Sequence, residues 1–331
     1  MSDGSVPIRR VAVVGAGTIG ASWAAYFLSR GLEVTASDPA PNAEDFIRRT
    51  VETAWPVLER LGLASGASPD RMEFWRDPAE AVQGADFVQE SGPEREDLKL
   101  DLLARLDAVL PAETVIASSS SGLLISRIQA GCRRHPERCV LGHPFNPPHL
   151  IPLVEVVGSA KTAVAAIERA MAFYRAVGKR PIHIRREVRG HVANRLQAAL
   201  WREAVHLVAE GVASVADVDA AIAYGPGLRW ALMGPHLTFH LAGGSGGITH
   251  FMEHLAVPMQ EWWDDLGTPA LTPPVQRQIV DGVADEAADR SIDDLARRRD
   301  AFLVELLALL ARQRQDGDAG AGAGGTEPIG Q

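Results

Sequence analysis

The stretch Val11-Ala12-Val13-Val14-Gly15-Ala16-Gly17-Thr18-Ile19-Gly20, read together with Asp38, decides the fold. Residues 11–14 are a short apolar run rich in β-branched side chains, and a GxGxxG pattern follows directly. Residues 21–28 continue as a helix up to Arg30-Gly31, and the next run, residues 32–37, ends in Asp38. Strand, glycine loop, helix, strand and acid in that order describe a dinucleotide-binding βαβ unit. Gly15 permits the tight turn, Gly17 lets the backbone approach a pyrophosphate, and Gly20 allows close helix–strand contact. The helix N-terminus then offers unpaired N–H groups and the positive end of a dipole to phosphates. Asp38 stands where an acid accepts the adenosine ribose hydroxyls. A carboxylate there repels a 2′-phosphate, so NAD is expected rather than NADP. The plain alternative is a glycine-rich turn with no ligand, and the flanking strands, helix and acid together argue against it.

Outward from this unit the alternation continues. Residues 42–60 read as a helix, with Phe46, Ile47, Val51, Ala54 and Leu58 on one side and Pro56 placed to kink it. Residues 62–70 are turn-rich, 77–82 suggest a short helix and 85–89 a buried strand. Pro93 opens a helix over 94–109, and 114–117 form a strand that runs into the polar stretch 118–121. Residues 138–141 and 152–157 extend the sheet. A helix over 162–177 ends at Gly178, and 180–184 give a last strand. This predicts an α/β, Rossmann-type, doubly wound sheet with helices on both faces over residues 1–186. From Glu187 the strand signals stop. Helical periodicity over 194–211, the Ser214/Asp217 pair shaped like a capping box, a break at Gly225-Pro226-Gly227, and further runs over 241–255, 274–287 and 291–315 follow. Residues 187–315 are therefore expected to be an all-α second domain, of a kind that commonly carries a dimer interface, so a homodimer is expected. Residues 316–331, rich in Gly and Ala, are expected to be a disordered tail.

Bulk properties agree with this layout. A chain of 331 residues suggests two domains, and 46% hydrophobic with 23% charged residues is ordinary for a soluble protein. A formal charge of −9 argues against nucleic acid and anionic membranes as partners. No apolar stretch approaches a membrane span. The two cysteines, Cys132 and Cys139, read as reduced thiols of a cytoplasmic protein. Their spacing beside His135 matches no common zinc site, so no metal is expected.

The chemistry is expected at Gly142-His143-Pro144-Phe145-Asn146-Pro147-Pro148 and at Leu153-Val154-Glu155-Val156-Val157. An imidazole titrates near working pH, and a carboxylate beside it fixes its tautomer and stabilises the imidazolium formed on proton uptake. The bland reading is a core His and a strand Glu without a joint role. A Glu within an apolar run needs a partner to be buried, which favours pairing.

These motifs, with the Ser-rich strand end and Gly190-His191-Val192-Ala193-Asn194-Arg195-Leu196, occur in the order seen in the 3-hydroxyacyl-CoA dehydrogenase family, which the chain resembles from about Val11 to about residue 310. Stretches 86–102, 142–158 and 227–234 are similar to branches that act on small free 3-hydroxy acids, L-carnitine first and L-gulonate second. The resemblance implies a catalytic His143 with Glu155 as its acidic partner. It implies Ser121 on the substrate hydroxyl and Asn194 near the reacting carbon. Thr18, Ile19, Asp38, Glu94 and Lys99 match cofactor-contacting positions. Four consecutive serines leave the register open by one, with Ser120 as the alternative, and His191 replaces the Phe usual in the family.

For the substrate, Arg229 is expected to bind a carboxylate through its planar fork. A trimethylammonium favours an aromatic cage, for which Phe145, Trp201, Tyr224, Trp230 and Phe239 are candidates, although most aromatics in a helical domain are core. A 3-hydroxyacyl-CoA substrate would want a basic surface, and Arg48, Arg49 and Arg60 are too few to demand one. A non-catalytic dinucleotide-binding protein is the third reading, against which His143, Glu155 and Asn194 stand together.

Overall fold

The computed structural model describes residues 8–321. Among these the chain divides into two compact units. One runs to Ala193 and takes in Asp300–Ala308; the other holds Asn194–Arg299 and the residues from Leu309.

The first unit is built on β1 (Arg10–Val14), α1 (Thr18–Ser29), β2 (Glu33–Ser37), α2 (Ala43–Leu61), β3 (Met72–Trp75), α3 (Pro78–Ala81) and β4 (Phe87–Glu90). It continues through α4 (Glu96–Val109), β5 (Val115–Ser118), α5 (Ile125–Ile128), β6 (Cys139–Pro144), β7 (Leu153–Val157), α6 (Val164–Ala176) and β8 (Arg180–His183). The eight strands form one sheet in the order β3-β2-β1-β4-β5-β6-β7-β8. All neighbours are parallel except β6 and β7, which are antiparallel with His143 opposite Glu155. Side chains alternate across β1: Val11 and Val13 join the core under α1, α2 and α6, while Ala12 and Val14 join the core under α3, α4 and α5. Burial on both faces explains why these strands read as unbroken apolar runs. Trp23 stacks on Phe27 at 4.9 Å and on Tyr174 at 5.8 Å, locking α1 to α6.

The second unit is helical: α7 (Ala193–Ala209), α8 (Val215–Tyr224), α9 (Pro226–Trp230), α10 (Pro235–Ala242), α11 (Gly247–Asp265), α12 (Pro273–Ala287) and α13 (Ile292–Ala321). The capping box forms: Ser214 Oγ accepts from the Asp217 N–H at 3.1 Å, and Asp217 Oδ2 accepts from the Ser214 N–H at 3.4 Å. Gly225 interrupts the chain for a single residue before Pro226, at the first position of α9, restarts a helix.

Residues 72–75, to which the sequence reading assigned no element, form the edge strand β3; a four-residue strand presents too short an alternation to read. Two expectations are corrected. Residues 187–193 belong with the sheet, beyond the expected limit at 186, since Glu187 Oε1 accepts from the Ser126 N–H at 2.8 Å and residues 191–193 are bonded as described below. Residues 316–321 continue α13. The rest of the expected tail lies outside the described residues.

Candidate active site

Neighbours of β1 lie on opposite sides in chain order, β2 towards one edge and β4 towards the other, so the carboxyl end of β1 is a topological switch point. A cavity of 780 Å³ opens there, lined among others by Gly15, Asp38, Arg76, Gly92, Asp101 and Arg105. Gly15 has φ +101°, and a Cβ on it would meet the Ser91 carbonyl carbon at 2.5 Å. A Cβ on Gly20 would stand 1.8 Å from the Gly15 carbonyl oxygen, so α1 reaches this depth only without a side chain. Beside Gly17, by contrast, a Cβ would meet nothing within 4 Å, which leaves its backbone open to an approaching group. Asp38 accepts from the Ala16 N–H through Oδ2 and from the Ala40 N–H through Oδ1, each at 2.9 Å. Its carboxylate is thereby held at the cavity, with lone pairs left for hydroxyl donors. These residues fit a dinucleotide: a pyrophosphate over Gly17 and the first turn of α1 with Thr18 and Ile19, and a ribose diol at Asp38.

At the same edge of the sheet, β5 and β6 deliver the polar groups. His143 Nδ1 lies 2.9 Å from Glu155 Oε2. Glu155 has no exposed surface, yet its other oxygen, Oε1, accepts from the N–H groups of Val192 and Ala193 at 2.9 Å each. Burial pushes this carboxyl upward. The His143 hydrogen bond, the two backbone donors and the His143 charge outweigh it, and the net position is below the usual carboxylate range. An ionised carboxylate only accepts, so His143 donates to it from Nδ1–H, and Nε2 is the ring nitrogen left for another partner. Phe145 stands edge-on to this ring at 6.4 Å.

The serine loop after β5 is held by Glu94 and by two residues that the sequence reading does not single out, Gln89 and Glu90. Gln89 donates to Ser119 Oγ at 2.8 Å and to the Gly142 carbonyl at 3.2 Å, while accepting from Tyr174 Oη at 2.6 Å. Glu90 accepts from Ser118 Oγ at 2.5 Å. Glu94 Oε1 accepts from Ser120 Oγ, from Gly122 N–H and, at 3.1 Å, from Leu123 N–H. Burial raises the Glu94 carboxyl, but these donors and the Lys99 charge bring it below its ordinary value. Ser120 is buried with its hydroxyl on Glu94, whereas Ser121 is exposed.

Glu94 and Lys99, both expected as cofactor contacts, are bonded within the protein. Glu94 gathers the serine loop. Lys99, 1% exposed, is withdrawn from the surface because Glu90, fully buried, requires a counter-charge: Lys99 Nζ donates to its two oxygens at 2.7 and 2.9 Å. The loop after His143 is anchored as well. His149 N–H donates to Ser22 Oγ on α1 at 2.9 Å, and Lys179 Nζ donates to the Pro148 and Ile151 carbonyls. A Gln-Glu pair closing an apolar strand was the only signal for Gln89 and Glu90, and nothing in the spacing marks Lys179. Of the remaining expected residues, Asn194 is half-buried at the second position of α7, and Arg229 and Trp230 are exposed at the end of α9.

Comparison with known proteins places this arrangement. Residues 10–188 match the model of the 3-hydroxyacyl-CoA dehydrogenase NAD binding domain, and residues 190–270 match that family's C-terminal domain. The chain is 54% identical over 313 residues to an L-carnitine dehydrogenase of Streptomyces coelicolor, covering 94% of this chain and 98% of that protein. It is 49% identical over 309 residues to an L-carnitine dehydrogenase of Bacillus cereus, covering 93% and 94%. Among solved structures it is similar to 5-formyl-3-hydroxy-2-methylpyridine 4-carboxylic acid 5-dehydrogenase, an NAD+-dependent dismutase, at 31% identity and a TM-score of 0.79, covering 92% of this chain and 99% of that one. With both domain models matched in order, and relatives aligned along almost its whole length, the chain is an NAD-dependent oxidoreductase that belongs to the 3-hydroxyacyl-CoA dehydrogenase family.

Proposed function

We propose that the protein oxidises the 3-hydroxyl of L-carnitine to 3-dehydrocarnitine, acting as a cytoplasmic homodimer. One observation carries the choice of substrate: relatives named L-carnitine dehydrogenase align over more than nine-tenths of the chain. The geometry supports the chemistry. His143 Nε2 takes the hydroxyl proton, and the Glu155 carboxylate, 2.9 Å from Nδ1, stabilises the imidazolium that results. NAD, when bound, supplies the hydride acceptor. Ser121 is favoured over Ser120 as donor to the developing alkoxide, because the Ser120 hydroxyl already donates to Glu94 at 2.6 Å. Asn194 serves as a second donor. Arg229 binds the substrate carboxylate, and Phe145 and Trp230 contribute faces to the trimethylammonium. Two buried thiols without a disulfide suit a reducing compartment.

NAD reduction measured side by side with L-carnitine, L-gulonate and 3-hydroxybutyryl-CoA tests the reading. L-Carnitine is expected to give the highest kcat/KM, and Arg229→Ala to raise the KM for L-carnitine about tenfold or more. Turnover of the CoA ester alone, or an Arg229→Ala enzyme with an unchanged KM, would refute the substrate assignment.

A further inference from the structure

Three parts of the site meet at a residue that the chemistry above leaves without a task, His191. It is 1% exposed, and its φ of +53° is uncommon for a residue bearing a Cβ. His191 Nε2 lies 3.0 Å from the Ser120 carbonyl oxygen. A carbonyl only accepts, so Nε2 carries the proton and Nδ1 the lone pair. The ring centroid is 4.9 Å from that of His143, with 48° between the planes. The next two residues, Val192 and Ala193, are the ones whose N–H groups hold Glu155.

We propose that His191 is a positioning residue for the dehydrogenase reaction: an uncharged imidazole that bonds the serine loop to the segment gripping Glu155, with the ring of the base packed against its face. The proposal rests on the reading of His143 as that base. An aromatic ring at this place satisfies the packing, but only one with an N–H satisfies the Ser120 carbonyl, whose alternative is to go unpaired next to the reactive serine. A cation would satisfy the carbonyl too, yet would oppose the imidazolium forming at His143. The charged or titratable groups around His191 are His143, Glu155 and Glu94. Burial, followed by the His143 charge, outweighs the Ser120 bond and the two carboxylates, and its pKa lies below the ordinary histidine value. The resulting order, from Ser120 through His191 to the N–H pair on Glu155, makes the spacing of donor and base a property of one side chain.

Two variants and two readouts test this. His191→Phe keeps a ring and removes the donor; His191→Gln returns an N–H at about the place of Nε2. Ring-nitrogen NMR of the histidine-labelled, NAD-loaded enzyme, which needs no substrate, is expected to show His191 neutral with the proton on Nε2. His191→Phe is expected to lower kcat about tenfold, with the KM for NAD unchanged, and His191→Gln to recover most of the loss. A charged or Nδ1-protonated His191, a Phe variant as fast as wild type, or a Gln variant as slow as the Phe variant would overturn the proposal. Should the wild type turn over none of the three hydroxy substrates, the function reading fails, while the nitrogen spectra still decide the tautomer of His191.

Discussion

Glu155 keeps its charge without exposed surface because three hydrogen-bonding groups converge on it: the Val192 and Ala193 N–H groups and the His143 ring. Its carboxyl titrates below the ordinary range, and linkage gives the sign of the consequence. A carboxyl depressed in the folded state adds stability above its unfolded value, near pH 4.3, and that stability is lost as pH falls through the folded value. Glu155→Gln is therefore expected to lower kcat by about a hundredfold or more, with the hydroxy-acid substrate still bound. In urea titrations the gap between wild type and variant is expected to be widest near neutrality and to close below about pH 4. A gap that widens in acid contradicts this account of the residue. Much of the residue scale was legible beforehand: His143 and Glu155 stand in apolar runs that demand pairing. The roles of Ser120 and His191 were not, because four serines in a row carry no register and a positive φ has no sequence signal at a histidine.

Among the elements, β4 does more than its four residues suggest. Its last two side chains, Gln89 and Glu90, are fully buried and fix the serine loop, and α4 supplies Lys99 to Glu90. Removing one member of such a pair strands the other charge in a dry site. Lys99→Met is expected to cost about 3–5 kcal/mol, seen as a lower urea midpoint with an unchanged slope. Exchanging Glu90 for Gln in the same chain should return part of that loss, which a mere packing defect would not. The glycine loop, α1 and the flanking strands could be read directly, since each glycine answers a steric demand. Strand direction could not. Apolar runs look alike in parallel and antiparallel pairs, and only the short link between β6 and β7, too brief for a crossover helix, hints at the reversal.

At the scale of the molecule, the helical unit differs from the sheet unit in what it shows to solvent. Tyr224 is 83% exposed, Trp262 65% and Trp263 62%, with Leu228, Leu241, Met252 and Val257 also uncovered. Large apolar side chains left in water are costly, and the homodimer proposed above would give them a place to be covered. A second copy of the chain is the occupant proposed. Sedimentation equilibrium is expected to give twice the chain mass, and Trp262→Glu to shift the population toward the single chain. A wild-type protein that stays monomeric and soluble at assay concentrations would falsify the homodimer. Among the described residues no helix is long and apolar enough to cross a membrane.

The facing of His143 and Glu155 across β6 and β7 carries one more consequence. Side chains change sides at every step along a strand, so a slip of a single position would turn one partner away from the other. On the proposed mechanism, chains zipped one notch out of step are expected to keep a full helical signal and lose their rate per mole.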